Sequence, residues 1–373
     1  MDIATMEPMV PEEASKDLED EVVTLIAEAN RLAGRVHPVL CESMGNLVRS
    51  MNCYYSNLIE GHDTHPRDID RALVNDFSAE PKRRELQQEA IAHIHVQRLI
   101  DEGRDPDVWP ASAAYAAWLH EEFCSRLPPE MLWVVHPRTG VKLPVVPGEC
   151  RTHDVEVGRH LPPDHGDLPR FLARFDRAYT SPPLNSFRQI QAVGAVHHRF
   201  LWIHPFLDGN GRVGRLLIVL LLCQWELLPQ PLLYLSHYFE RHRTEYYAQL
   251  LAVSQQGKWE EWLTFFLVGV RDQSRDATIR IQKLQALREK YYSKFAGERK
   301  TAQLQQLVDF LLGHPIVNIS QVQAALKVRD FKTAQRYIAK LQDAKILTEI
   351  TGKSRNRLFR ANEILRVIEE PVA

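Results

Sequence analysis

The twelve residues HPFLDGNGRVGR, His204 to Arg215, decide how this chain is read. They place a histidine, an aspartate, an asparagine between two glycines and two arginines in one short turn. Upstream, Phe187 to Ile203 carries Ile190, Val193, Val196, Phe200 and Ile203 at helical spacing, and Pro205 ends that helix. Downstream, Leu216 to Leu228 reads as a buried helix opening out of the turn. Gly209 and Gly211 permit positive φ and close approach of a ligand to the backbone. The first N–H groups of the following helix lack intrahelical partners and lie at the positive end of its dipole, where an anion is favoured. Arg212 and Arg215, three apart, share a face and suit two phosphate groups. Asp208 offers a hard oxygen for a Mg²⁺ already held by phosphates, and His204 can accept a proton near neutral pH. Each of these residues taken singly would also suit a plain glycine turn with surface arginines. Phosphate chemistry asks for the whole set.

The string resembles the Fic signature, HxFx(D/E)GNGRxxR, at every defined position. The resemblance implies transfer of AMP from MgATP to a Ser, Thr or Tyr hydroxyl of a target protein. It implies His204 as the catalytic base and Asp208 as the Mg²⁺ ligand. Gly209, Asn210 and Gly211 would surround the α-phosphate, with Val213 and Gly214 in the same binding turn, and Arg212 and Arg215 would grip the outer phosphates. The stretch Ser56-Asn57-Leu58-Ile59-Glu60-Gly61 resembles the family's inhibitory helix, (S/T)xxxE(G/N). Ser56 and Glu60 are one helical turn apart, and Gly61 is a helix stop. The implied contact is Glu60 with Arg215, leaving ATP misaligned; in some relatives the same glutamate assists AMP removal, and self-modification is a further option.

Around the motif, Val141 to Pro163 reads as a β-hairpin, from the alternation of Val155 and Val157 and the flanking Gly and Pro residues. By resemblance this is the flap that pairs with an extended target segment. Pro231 to Leu251 reads as the adenine-side helix, with Tyr247 the base contact; the same rings would suit a core. Trp259 to Val270 completes the helical core. A metal cluster of His197, His198, His204 and Asp208 is the rival reading, but a zinc site needs a compact ligand pair and a carboxylate bonded behind its histidines, which the spacing does not offer. His197 reads as a core histidine.

The chain has 373 residues, 45% hydrophobic and 25% charged, enough for one large core and a small second domain. The longest apolar run, Leu216 to Cys223, is far short of the ~20 residues a bilayer span needs, so no membrane is expected. Five scattered cysteines without a CxxC pair suit a cytoplasmic setting rather than a disulfide scaffold. From Arg299 onward, 13 Lys and Arg outnumber 7 Asp and Glu, while the whole chain carries −2. That shift marks a boundary near Gly297.

The expected organisation is mostly all-α: a flexible tail over 1–20, a helical region with the inhibitory helix over 21–130, a Fic catalytic core with flap over 131–297, and a winged helix–turn–helix over 298–373. In the last unit, helices over Ala302–Leu312, Ser320–Leu326 and Phe331–Ala344 precede strands ILTEI and RLFRA. Lys332, Gln335, Arg336 and Lys340 on the third helix, with Lys353, Arg355 and Arg357 on the wing, would suit DNA; a basic face that binds protein is the other option. A DNA-binding regulator using the nucleotide site as a sensor is thus the alternative function. A homodimer is also compatible.

Overall fold

The computed structural model describes residues 1–12, 14–34, 38–136, 139–180, 186–228, 232–297, 301–352 and 357–369, without the side chains of 38–44, 46 and 186. Five helices come first: α1 (Lys16–Ala33), α2 (Pro38–Ile59), α3 (Pro66–Leu73), α4 (Pro81–Asp101) and α5 (Ala113–Cys124). A hairpin follows, β1 (Trp133–Val135) with β2 (Lys142–Pro144), then α6 (Leu168–Tyr179), α7 (Ser186–Ile203) and α8 (Asn210–Gln224). Next come α9 (Leu235–Arg241), α10 (Arg243–Gln256) and the 36-residue α11 (Trp259–Lys294). The last part holds α12 (Thr301–Gly313), β3 (Ile316–Asn318), α13 (Ile319–Ala325), α14 (Phe331–Asp343), β4 (Thr348–Glu349), β5 (Leu358–Arg360) and α15 (Asn362–Glu369). The fold is mostly helical with two small antiparallel sheets among the described residues, the second ordered β3-β5-β4.

Local chemistry sets the boundaries. Ser15 and Ser112 accept backbone N–H bonds at the starts of α1 and α5, and Asn318 and Gln321 form a reciprocal capping box on α13. The expected apolar stripe of α7 is fully used: Ile190, Val193, Val196, Phe200 and Ile203 are all buried. Gly194 lets α11 approach, since a Cβ there would lie 3.0 Å from Leu263. Gly214 does the same between α8 and α7, facing His197. The hairpin α7–turn–α8 is therefore held by close backbone packing on both sides, which fixes the turn between them.

Several expectations are corrected. Residues 1–20 are not a loose tail: Met6 and Met9 are buried, Tyr179 donates to Met9 O at 2.6 Å, Arg199 donates to Pro8 O at 2.9 Å, and α1 already starts at Lys16. Two methionines anchor a segment whose acidic composition suggested solvent. The hairpin spans 133–144 rather than lying within 141–163; of the expected range, Lys142–Pro144 pairs back with β1, and Val157 and His160 form an isolated bridge. The hairpin forms where Leu143 and Val145 can be buried, whereas the loop after it is held by the buried Arg151. The Pro231–Leu251 helix is two helices that meet at His242, and Pro231 itself lies outside the described residues.

The C-terminal unit has the three expected helices and hairpin, plus the unforeseen β3 and α15. It does not stand apart, because its apolar core is continuous with that of the body. Arg288 pairs with Asp309 at 2.6 Å, and Arg280 donates to Val367 O at 2.6 Å, both from α11. Lys353 and Arg355 lie outside the described residues. No helix among the described residues is long and apolar enough to cross a membrane.

Candidate active site

The site is built where α7 ends and α8 begins. His204 sits at φ 51°, a left-handed conformation uncommon outside glycine. It is held from both sides: its N–H donates to Phe200 O at 3.0 Å, and Arg151 Nε donates to its carbonyl at 2.9 Å. Its Nδ1 lies 3.3 Å from Leu201 O, which selects the tautomer with a proton on Nδ1 and a lone pair on Nε2. Burial lowers its pKa to about 4, so the imidazole is neutral at ordinary pH.

Asn210 does not present its side chain to a ligand. It accepts from Phe206 N at 3.0 Å and donates to Phe206 O at 2.8 Å, closing the loop on itself. Gly209 adopts φ 80°, and α8 begins after it with no capping side chain. The first turn of α8, from Asn210 through Arg212, therefore faces the site with its backbone donors. Asp208 stands at the mouth, its side chain 51% exposed. Desolvation in the turn works to raise its carboxyl, but the Arg212 charge and the Gly209 N–H outweigh that and hold it below the usual carboxylate range.

The two arginines are not free side by side, as their spacing suggested. Both are buried, and each has its own acid. Arg215 donates from Nε to Ser56 Oγ at 2.9 Å and from Nη2 to Glu60 Oε1 at 2.6 Å. The expected contact of Glu60 with Arg215 is present, and Ser56 adds a bond to the same arginine that the sequence reading did not assign, with Glu60 just past the end of α2 and Gly61 turning at φ 87°. Burial acts to raise the Glu60 carboxyl, while Arg215 and then Arg212 bring it below its ordinary value. Arg212 pairs with the fully buried Glu89 of α4 and with Asp208 at 3.0 Å, and lies 4.9 Å over the Phe123 ring.

Glu89 escaped the sequence reading because α4 carries no motif. Its only signal was a carboxylate next to the buried stripe Ala90, Ala92, Ile94. His62 was missed as well; its Nδ1 lies 2.7 Å from Glu89 Oε2. His120 of α5 stacks on Phe206 at 4.0 Å and backs Gly209. Arg151, buried beneath the His204 turn, had no sequence signal at all. His197 is a core residue, as expected, between Gly214 O at 2.9 Å and Tyr246 Oη at 2.7 Å. Tyr247 is 45% exposed beside Tyr246, near enough to Glu60 and Arg215 to feel their charges.

This loop lies inside the stretch that matches a known family. Residues 110–222 match the model of the Fic/DOC family. A protein adenylyltransferase Fic of Drosophila erecta is 40% identical over 79 residues, 21% of this chain and 16% of that protein's length. A Fic family protein from Desulfovibrio desulfuricans G20 superposes with a TM-score of 0.54 at 19% identity, over 94% of this chain and 98% of that one. Fic-1 from C. elegans gives 0.55 at 18% identity, over 72% and 74%. The structural likeness shows a shared fold that extends into the C-terminal unit in the first case.

Proposed function

We propose that the protein is a protein adenylyltransferase that transfers AMP from MgATP to a Ser, Thr or Tyr hydroxyl of a target protein. The observation that carries this reading is the uncapped start of α8 beside an imidazole whose Nε2 has no partner among the described residues. His204 Nε2 takes the proton of the acceptor hydroxyl, whose oxygen attacks the α-phosphorus as the bond to pyrophosphate breaks. The N–H groups at Gly209, Asn210 and Gly211 stabilise the charge on the α-phosphate, with Val213 and Gly214 in the same turn. Arg215, once released from Glu60, and Arg212, still oriented by Glu89, hold the outer phosphates. Asp208, ionised and half-exposed, fits a Mg²⁺ whose other ligands come from phosphate and water; when bound, the ion would neutralise phosphate charge. Tyr247 is read as bordering the adenine, supported by its exposure beside Tyr246. No group of three or more His, Cys, Asp or Glu among the described residues could hold a metal without such phosphates.

Glu60 is read as the brake. Its carboxylate lies against the start of α8, where a phosphate would otherwise meet Arg215. The flap supports recognition by strand addition, since Trp133 and Val135 of β1 are 49% and 56% exposed. The C-terminal unit is read as a winged helix–turn–helix, supported by Lys332 and Arg336 exposed on α14 and by the β4–β5 hairpin. That basic face favours the second reading, a DNA-binding regulator with a nucleotide sensor. The unit limits proposed from sequence near residues 130 and 297, a cytoplasmic setting and a homodimer are kept as part of this reading.

The test is transfer of labelled AMP in lysate by the native chain, Glu60→Gly and His204→Ala. Glu60→Gly raises labelling and His204→Ala abolishes it; equal labelling by Glu60→Gly and the native chain removes the brake. Labelling of a distinct protein favours the enzyme. Self-labelling with salt-dependent retention of duplex DNA favours the regulator.

A further inference from the structure

We propose that Glu89 is a positioning residue, and that its contact with His62 is a second latch holding the Glu60 segment on the α8 loop. Resting on the reading of Glu60 as a brake, the inference adds a part of that brake outside the motif. Glu89 is wholly buried and splits its carboxylate between two partners: Oε1 meets Arg212 Nη1, and Oε2 lies 2.7 Å from His62 Nδ1. A buried carboxylate is stable only if both oxygens are satisfied by charge or hydrogen bonds, and here both are.

His62 follows Glu60 by two residues, and its N–H donates to Asn57 O at 2.9 Å around the Gly61 turn. The segment from Ser56 to His62 therefore grips the loop at two points. Ser56 and Glu60 hold Arg215 directly, and His62 holds Arg212 through Glu89. One carboxylate from α4 thus ties the aim of Arg212 to the seating of the blocking segment. Arg212 is confined further by Asp208 and by the Phe123 ring, while its buried Nε has no partner among the described residues. Such an arginine keeps one donor for an incoming anion while its orientation is fixed by Glu89. The Glu89 hydrogen bond also raises the pKa of His62, which strengthens the latch when the imidazole is charged.

The experiment uses the full chain and labelled ATP. His62→Ala raises AMP transfer roughly five- to tenfold over the native chain, the equivalent of about one ordinary hydrogen bond. His62→Gln keeps a donor for Glu89 and stays near the native rate. In the Glu60→Gly background, His62→Ala adds less than about twofold, because the latch has nothing left to hold. Placing Glu89→Gln in that background raises KM for ATP about tenfold with kcat within about twofold, since Arg212 loses its aim on the nucleotide. The latch is overturned if His62→Ala matches the native rate, or multiplies the Glu60→Gly rate by the same factor. The positioning role is overturned if Glu89→Gln lowers kcat with KM unchanged. Should Glu89→Gln fail to fold, the His62 series still decides the proposal. A Glu60→Gly protein that neither transfers AMP nor gives heat with MgATP overturns the functional reading, and the latch with it. An active Glu60→Gly beside an inert His62→Ala overturns the latch alone.

Discussion

The Glu60 carboxylate lies so close over Gly211 that a Cβ built on Gly211 would overlap Oε1. A glycine at this place does more than permit a turn, since its own φ requires none. It leaves room for an anion at the first turn of α8, and the anion now in that room is the protein's own side chain.

Gly211→Ala tests this directly. In the native chain the methyl group pushes Glu60 off Arg215 and leaves a buried guanidinium without its acid, a loss of about 1–3 kcal/mol. In Glu60→Gly the nearest remaining neighbour of the new Cβ is the flexible end of Arg215, Nη1 at 3.0 Å, and the change costs less. Urea unfolding of the four proteins measures the coupling. Equal cost in both backgrounds would show that Glu60 does not fill that space in solution.

Asn210→Ala removes both bonds to Phe206 and strands a buried N–H and C=O in the loop. The expected loss is about 2–4 kcal/mol, larger than a surface Asn would give. Because the bonds hold the turn rather than a ligand, nucleotide binding by Asn210→Ala in the Glu60→Gly background falls together with stability. A stable variant that merely binds ATP less well would restore Asn210 to the ligand-contact role that its position in the motif suggested.

The motif was legible because its residues are contiguous and chemically unusual together. From His204, Asp208, Gly209 and Arg215 alone, the site's position between two helices followed. Long helices with an apolar stripe, such as α7, were equally plain. What stayed hidden depends on distant packing. Glu89 and Arg151 look like any charged residue until the fold buries them. The hairpin was misplaced because Val155 and Val157 alternate without a partner strand, while β1 and β2 are only 3 residues each. Met6 and Met9 were too few to outweigh the acidic composition of the first twenty residues.

The pH profile of transfer checks the state of His204. Its pKa is lowered to about 4, chiefly by burial, so the proton-accepting form is fully present above about pH 6. For Glu60→Gly, kcat/KM is expected to be flat from about pH 6 to 8 and to fall toward pH 4. Removing Glu60 takes away a charge that raises this pKa, so the variant does not move the fall upward. A half-point near 6.5, the ordinary imidazole value, would mean that the ring is solvated during catalysis.

Acid should weaken the fold before it unmakes its carboxylate pairs. Burial lowers the pKa of His93 and His197 to about 3 and that of His120 to about 4. Unfolded, each takes a proton below about 6.5, whereas the folded chain refuses it until pH 3–4. Stability from these groups is therefore complete above about 6.5 and drains away between there and pH 3–4. Each group contributes a slope of up to about 1.4 kcal/mol per pH unit. His62 opposes the trend, because its raised pKa stabilises the fold at low pH and is lost as pH rises, but it is one group against several, His204 among them. Calorimetric Tm is expected to drop clearly between pH 7 and 5. His197→Gln, which can still donate to Gly214 O, should flatten that drop even if it lowers Tm at pH 7. An unchanged slope in that variant would mean that His197 titrates normally in the folded chain.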